Sequence, residues 1–190
     1  MTNKLTKIFV ESDQPNTYNI FVDMDGTITD IDTQFEKYAG EPLEGFEERH
    51  GKEAFWSFPD KAGSKFWSEM PWMPDGQELW NYVLKYNPTI LSAPSRHQSC
   101  QIGKTEWLKK NVKLPNYDVQ LKIKGPWGRG WDKKSKIILN SEKFRYCSGP
   151  NDILIDDTPK KVTPWIQAGG IGILHKSAAE TISKLKELGL

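Results

Sequence analysis

The stretch Asn19-Ile20-Phe21-Val22-Asp23-Met24-Asp25-Gly26-Thr27 decides the fold. An apolar run ending in Asp-x-Asp-Gly-Thr reads as a buried strand. It delivers two carboxylates just past its carboxyl end, where open α/β sheets bind their ligands. Side chains two residues apart point the same way while the backbone stays extended, so Asp23 and Asp25 would share one side. Gly26 frees the chain to turn, and its amide, with that of Thr27, would face an anion. On its own, such a pair beside a glycine is equally an Asx-type turn closing a strand. A calcium loop of the EF-hand type is excluded: it needs Gly at its sixth position and Glu at its twelfth, where this chain has Ile28 and Gln34.

Working outward, residues 1 to 17 are polar apart from Ile8-Phe9-Val10, and Asp13 to Thr17 reads as a turn or linker. After Thr27 come about 60 residues without strand pattern but rich in aromatics, among them Phe35, Phe46, Phe55, Trp56, Phe66 and Trp67. A structureless loop of that length is improbable in a compact domain, so the segment reads as a mainly helical insertion over the end of the first strand. Asp75 with Glu78 opens a helix as a capping box, Thr89 to Ser92 is a second strand, and residues 97 to 111 are helical. Val119 to Ile123 is a third strand, residues 124 to 132 a loop, and Lys133 to Asn140 a short helix. Asp152 to Asp157 repeats the opening pattern of apolar strand and paired carboxylates. Thr158-Pro159 starts a helix, Ile171 to Leu174 is a last strand, and Ser177 to Glu180 caps a final helix. Strands alternating with helices in this order make a three-layer α/β fold around a parallel, Rossmann-like sheet. Residues 1–30 and 75–190 would form its core, with residues 31–74 inserted as a small helical cap.

With 190 residues, 37% hydrophobic and 27% charged, the chain can bury a sizeable core as one domain carrying an insertion. A net charge of +1 does not single out a polyanionic partner. The absence of a long apolar run or signal-peptide core points to a cytoplasmic protein with no membrane partner. Two cysteines and three scattered histidines offer neither a disulfide framework nor zinc spacing. Gly103-Lys104-Thr105 ends like a P-loop, but Gln98 stands where the first glycine is required.

Four elements fall at successive strand ends: Asp23 with Asp25, Ser92, a lysine among Lys133, Lys134 and Lys136, and Asp156 with Asp157. Carboxylates gathered at one sheet edge repel by several kcal/mol unless a cation intervenes, and a hard divalent ion, Mg²⁺ foremost, suits oxygen ligands. In order and spacing this set resembles the four motifs of the haloacid dehalogenase-like (HAD) phosphohydrolases. Asp-Met-Asp-Gly, Phe66-Trp67, Met73-Pro74-Asp75-Gly76 and Ile153 to Asp157 are most similar to the 5'(3')-deoxyribonucleotidase group. The resemblance implies a Mg²⁺-dependent phosphatase acting on a small nucleoside monophosphate through an aspartyl-phosphate. Asp23 would be the nucleophile and Asp25 the general acid and base. The metal would be held by Asp23, the Asp25 carbonyl and Asp156, with Asp157 orienting its water. Ser92, a lysine and the Gly26 and Thr27 amides would bind phosphate, and Lys134, which precedes a serine, fits better than Lys133.

Substrate choice would fall to Phe66, Trp67 and Arg96, with Phe35 assigned to packing. Base stacking on an aromatic ring is worth about 1–3 kcal/mol. The basic run Lys122 to Lys136, with Trp127 and Trp131 interleaved, is a solvated face or a grip on single-stranded nucleic acid. It keeps a polynucleotide end phosphatase as the enzymatic alternative. A phosphate-sensing protein that retains the fold without turnover is the non-enzymatic one.

Overall fold

The computed structural model describes residues 18–112, 114, 119–121 and 136–190. The strands are β1 (Asn19–Val22), β2 (Thr89–Ser92), β3 (Val119–Leu121), β4 (Ile137–Leu139), β5 (Asp152–Asp156) and β6 (Ile171–Leu174). They form one parallel sheet in the order β3-β4-β2-β1-β5-β6. On one side of β1 the chain places β2, then the edge strand β3, then β4 between them, and it returns to place β5 and β6 on the other side, so β1 lies at the point where strand order reverses. Between β1 and β2 run α1 (Ile31–Ala39), α2 (Phe46–His50), α3 (Lys52–Ala62), α4 (Ser64–Ser68) and α5 (Gly76–Leu84). Helices α6 (Gln98–Asn111), α7 (Pro159–Gln167) and α8 (Ala178–Glu187) complete the chain, with a 3₁₀ turn at Lys143–Tyr146.

Period-two alternation sorts the strand residues into two cores. Phe21, Leu91, Ile138 and Leu154 pack on one face under Trp165 of α7, whose ring meets Phe21 edge-on at 5.0 Å. Ile20, Val22, Ile90, Ile137, Leu139, Ile153 and Ile155 face the opposite side, against Leu79 and Val83 of α5, Trp107 and Leu108 of α6, and Leu185 of α8. This is the expected three-layer α/β architecture with helices on both faces of a parallel sheet.

Two local expectations are corrected. Residues 137–139 are not the end of a helix but strand β4, fully buried between β2 and β3. Three consecutive apolar residues carry no periodicity that separates strand from helix, and pairing on both sides settles the matter. Asp75 sits at the start of α5, yet its carboxylate makes no bond to that helix; Oδ2 accepts from the Ala178 amide at 2.6 Å and so caps α8. The Ser177 hydroxyl accepts from the Glu180 amide as the capping pattern predicts.

The segment between β1 and α5 is helical, as expected, and its aromatics pack on one another within the core that covers this face of the sheet. Phe35 packs at 4.9 Å on Phe46, 5.2 Å on Phe55 and 5.8 Å on Phe58. Two long-range bonds anchor it: the Gln34 side-chain amide donates to the Phe66 carbonyl, and Trp107 Nε1 of α6 to the Met70 carbonyl, each at 2.7 Å. α4 lies against α6 at Gly103, where a Cβ would collide with the Ser64 carbonyl and come within 2.6 Å of Trp67 Cβ. Only glycine permits that approach. No described helix is long and apolar enough to cross a membrane.

Candidate active site

The register of β1 against β5 pairs Val22 with Ile155, so the next residue of each strand, Asp23 and Asp156, stand abreast at the carboxyl edge. The Asp23 amide continues the ladder to the Ile155 carbonyl at 3.0 Å. Just beyond, the Met24 carbonyl accepts from the amides of Thr27, Ile28 and Thr29, which folds the chain into a tight turn. Gly26 takes φ +73° in that turn, and a Cβ there would overlap the Asp157 carboxylate. The turn thus seats Asp157 on the glycine, so that Asp23, Asp156 and Asp157 can each offer an oxygen within 4.8 Å of the others.

The amides expected to face an anion are engaged inside the turn. Gly26 donates to the Thr29 carbonyl at 2.9 Å and Thr27 to that of Met24 at 3.1 Å. A turn tight enough to re-aim the chain uses its own donors, so neither amide is free for a ligand in this structure.

Two buried lysines organise the carboxylates. Lys143, in the 3₁₀ turn after β4, reaches Asp156 Oδ2 at 2.5 Å and Asp23 Oδ1 at 2.8 Å. The second contact is an ion pair without hydrogen-bond alignment, leaving Asp23 Oδ1 buried and with no hydrogen-bond partner among the described residues. Asp156 Oδ1 accepts from the Thr158 amide at the start of α7. Lys104 of α6, wholly buried, donates to Asp25 Oδ2 at 2.6 Å, to Ser92 Oγ at 2.9 Å and to the Ala93 carbonyl at 3.0 Å. Burial disfavours its charge, but Asp25 foremost, with Cys100 and Asp23, lifts the ammonium above the ordinary lysine range. The Thr29 hydroxyl steadies the other Asp25 oxygen at 3.3 Å.

Desolvation, then the Asp23 charge, raises the Asp156 carboxyl above its usual value. Asp157 is pushed up to about 7 by desolvation, Asp23 and Asp156 in that order. Crowded carboxylates that resist ionisation mark a site with more negative charge than two lysines neutralise.

The structure therefore gathers Asp23, Asp25, Ser92, Asp156 and Asp157 at one sheet edge. Lys133 and Lys134 lie outside the described residues, as does most of the basic run ending at Lys136; Lys136 itself donates to the Asn87 carbonyl at 2.9 Å. Lys104 and Lys143 went unselected by sequence reasoning. For Lys104 a signal existed: it shares a helical face with Cys100, Gly103, Trp107 and Leu108, all buried. A lysine on an apolar face requires a buried anion. For Lys143, on a four-residue turn, no periodicity exists to read. Of the specificity candidates, Phe66 is core, packed on Tyr38 and Trp67. Trp67 is buried with its ring centroid 5.2 Å from Lys104 Nζ, and Arg96 is exposed beside a cleft.

No family model matches the chain, and no curated protein matches it. Among solved structures it is similar to a hydrolase from Streptococcus pneumoniae, at 13% identity over 90% of this chain and 99% of that one, with a TM-score of 0.47. A HAD-superfamily hydrolase from Ehrlichia chaffeensis is also 13% identical, over 93% and 98% of the two chains, with a TM-score of 0.47. A HAD-family enzyme from Bacteroides thetaiotaomicron, an Asp-to-Ala variant in complex with magnesium and inorganic phosphate, is 13% identical over 84% and 94%, with a TM-score of 0.45.

Proposed function

We propose that the protein is a Mg²⁺-dependent phosphomonoesterase of the HAD type, acting on a small nucleoside monophosphate in the manner of the 5'(3')-deoxyribonucleotidases. The observation that carries this reading is the division of labour between the two aspartates of one turn. Asp23 is paired with Lys143 beside Asp156, whereas Asp25 is held by Lys104 together with Ser92.

Asp23 attacks phosphorus in line, forming an aspartyl-phosphate while the bond to the nucleoside oxygen breaks, which divides one hard displacement into two easier ones. Asp25 protonates the departing oxygen. It then takes a proton from the water that releases inorganic phosphate and restores Asp23. Ser92 and Lys143 hold the remaining phosphoryl oxygens, a role for which Lys143 is already positioned by Asp156. Lys104 keeps Asp25 and Ser92 in fixed relation.

The donor set fits a hard divalent ion: three carboxylates within reach of one another, the buried Asp23 Oδ1 without a hydrogen bond, and two carboxyls raised by burial and then by their neighbours' charges. Asp23, Asp156 and the Asp25 carbonyl would hold Mg²⁺, with Asp157 orienting its water; bound there, the ion supplies positive charge to the phosphoryl oxygens. Residues 31–74 act as the cap that admits substrate, with Trp67 of α4 buried against Phe66 and α6.

The test is phosphate release across nucleoside monophosphates, sugar phosphates and end-phosphorylated oligonucleotides with Mg²⁺. Release is expected from nucleoside monophosphates, with loss in Asp23→Asn and after thorough metal removal. Unchanged turnover in Asp23→Asn would sink the catalytic reading.

A further inference from the structure

Between the first turn of α3 and the loop entering α6 lies a cleft of about 460 Å³, lined by Lys52, Glu53, Trp56, Arg96 and His97. Its size suits one nucleoside-sized group. Trp56 is half buried against the neighbouring core and stands one helical turn from Lys52, on the same face of α3. Two fixed cations, Lys52 and Arg96, face one carboxylate, Glu53. Among the described residues no ion pair joins either cation to Glu53 or to any other acid.

The cleft connects covalently to the site. Arg96 follows Ser92 by four residues, a span of at most about 14 Å when extended. Lys104, which holds Ser92 and Asp25, lies two turns along α6 from His97, about 10 Å of helix. Measured along the chain, both spans are comparable to the length of a nucleotide with an added phosphate.

We propose that this cleft is a second-anion subsite: Arg96 and Lys52 hold a phosphate group other than the one being hydrolysed, and Trp56 stacks on the base. The preferred substrate is then a nucleotide carrying two separate phosphates, such as a nucleoside 3',5'-bisphosphate, rather than a plain monophosphate. Arginine and an aromatic face together supply the planar donors and stacking surface that such a ligand needs. Glu53 leaves the cleft with a single excess fixed charge, which fits one phosphate and disfavours a run of them.

The inference rests on the phosphatase reading, and the experiment separates the two. With the full chain and Mg²⁺, kcat/KM is measured for deoxyadenosine 5'-monophosphate, deoxyadenosine 3',5'-bisphosphate and a terminally phosphorylated hexanucleotide. The bisphosphate is expected to exceed the monophosphate about tenfold, the difference lying in KM. In the Lys52→Ala/Arg96→Ala variant the ratio should fall close to one. A ratio near one in the unaltered protein, an equal loss on both substrates in the variant, or a hexanucleotide preferred over the bisphosphate would each overturn the subsite. Calorimetric binding of the bisphosphate and monophosphate to metal-free protein reads the cleft without turnover. Tighter bisphosphate binding that the double variant abolishes supports the subsite even if no substrate is hydrolysed, in which case only the catalytic reading fails.

Discussion

Lys104→Met tests whether a buried cation organises this site. Methionine keeps most of the length and apolar stem of lysine, so packing against Trp67 and Cys100 survives while three donated hydrogen bonds are lost. The deleted ammonium is wholly buried, whereas the Asp25 side chain is 23% exposed. Removing one partner of a fully buried pair costs about 3–5 kcal/mol. Because Asp25 can recover part of its hydration, the loss belongs at the lower end, about 3 kcal/mol, with the orphaned Ser92 hydroxyl and Ala93 carbonyl contributing to it. For a chain of this size that corresponds to a fall in Tm of roughly 6–12 °C. Asp25 and Ser92 also lose their common tether. Since small misplacements can cost about 100-fold, kcat should fall by that order while KM changes little. A double-mutant cycle with Asp25→Asn, followed by urea unfolding, isolates the pair, and a coupling of about 2 kcal/mol is expected. A coupling below about 0.5 kcal/mol, with kcat retained, would refute the reasoning.

Gly26→Ala should cost about 1–2 kcal/mol in left-handed backbone strain, and its methyl displaces the Asp157 carboxylate. Metal affinity, measured by calorimetry, should therefore fall more than Tm alone would suggest. Asp157, pushed up to about 7, keeps a proton in the folded chain that the unfolded chain releases near its ordinary 3.8. The stability it contributes is complete below about pH 4 and lost as pH rises through about 7. His175, lowered by burial, tilts the other way, so the effect is read as the Tm difference between the protein and Asp157→Asn. In metal-free buffer that difference should shift against the unaltered protein from pH 5 to 8, and saturating Mg²⁺ should flatten it; a shift of opposite sign would contradict the crowding argument. Asp75→Ala removes the cap on α8 and should destabilise by about 1 kcal/mol without altering KM.

Where the sequence reading failed, it failed for identifiable reasons. Ile137-Ile138-Leu139 is too short to show a period, and only its two neighbours make β4 a strand rather than the helix its flanking residues suggest. Asp75 and Glu78 have the spacing of a capping box, yet the Asp75 carboxylate finds an amide 103 residues away. The Gly26 and Thr27 amides, read as facing an anion, donate within the turn that the glycine makes possible.

The sequence by itself determined that a strand ends in Asp23 and Asp25, that a second ends in Asp156 and Asp157, and that Ser92 closes a third. Strand pattern, turn residues and helix starts are local signals with their own periods, and they survive without knowledge of neighbours. Only the tertiary structure decided which cations answer those carboxylates. Lys104 meets Asp25 across 79 residues of chain and Lys143 meets Asp156 across 13, the first on an amphipathic helix and the second on a single turn. Charge pairing is set by proximity in space and by burial, and no sequence period records either. The same limit holds for the cleft of Trp56 and Arg96, whose walls come from two segments that meet only when the chain is folded.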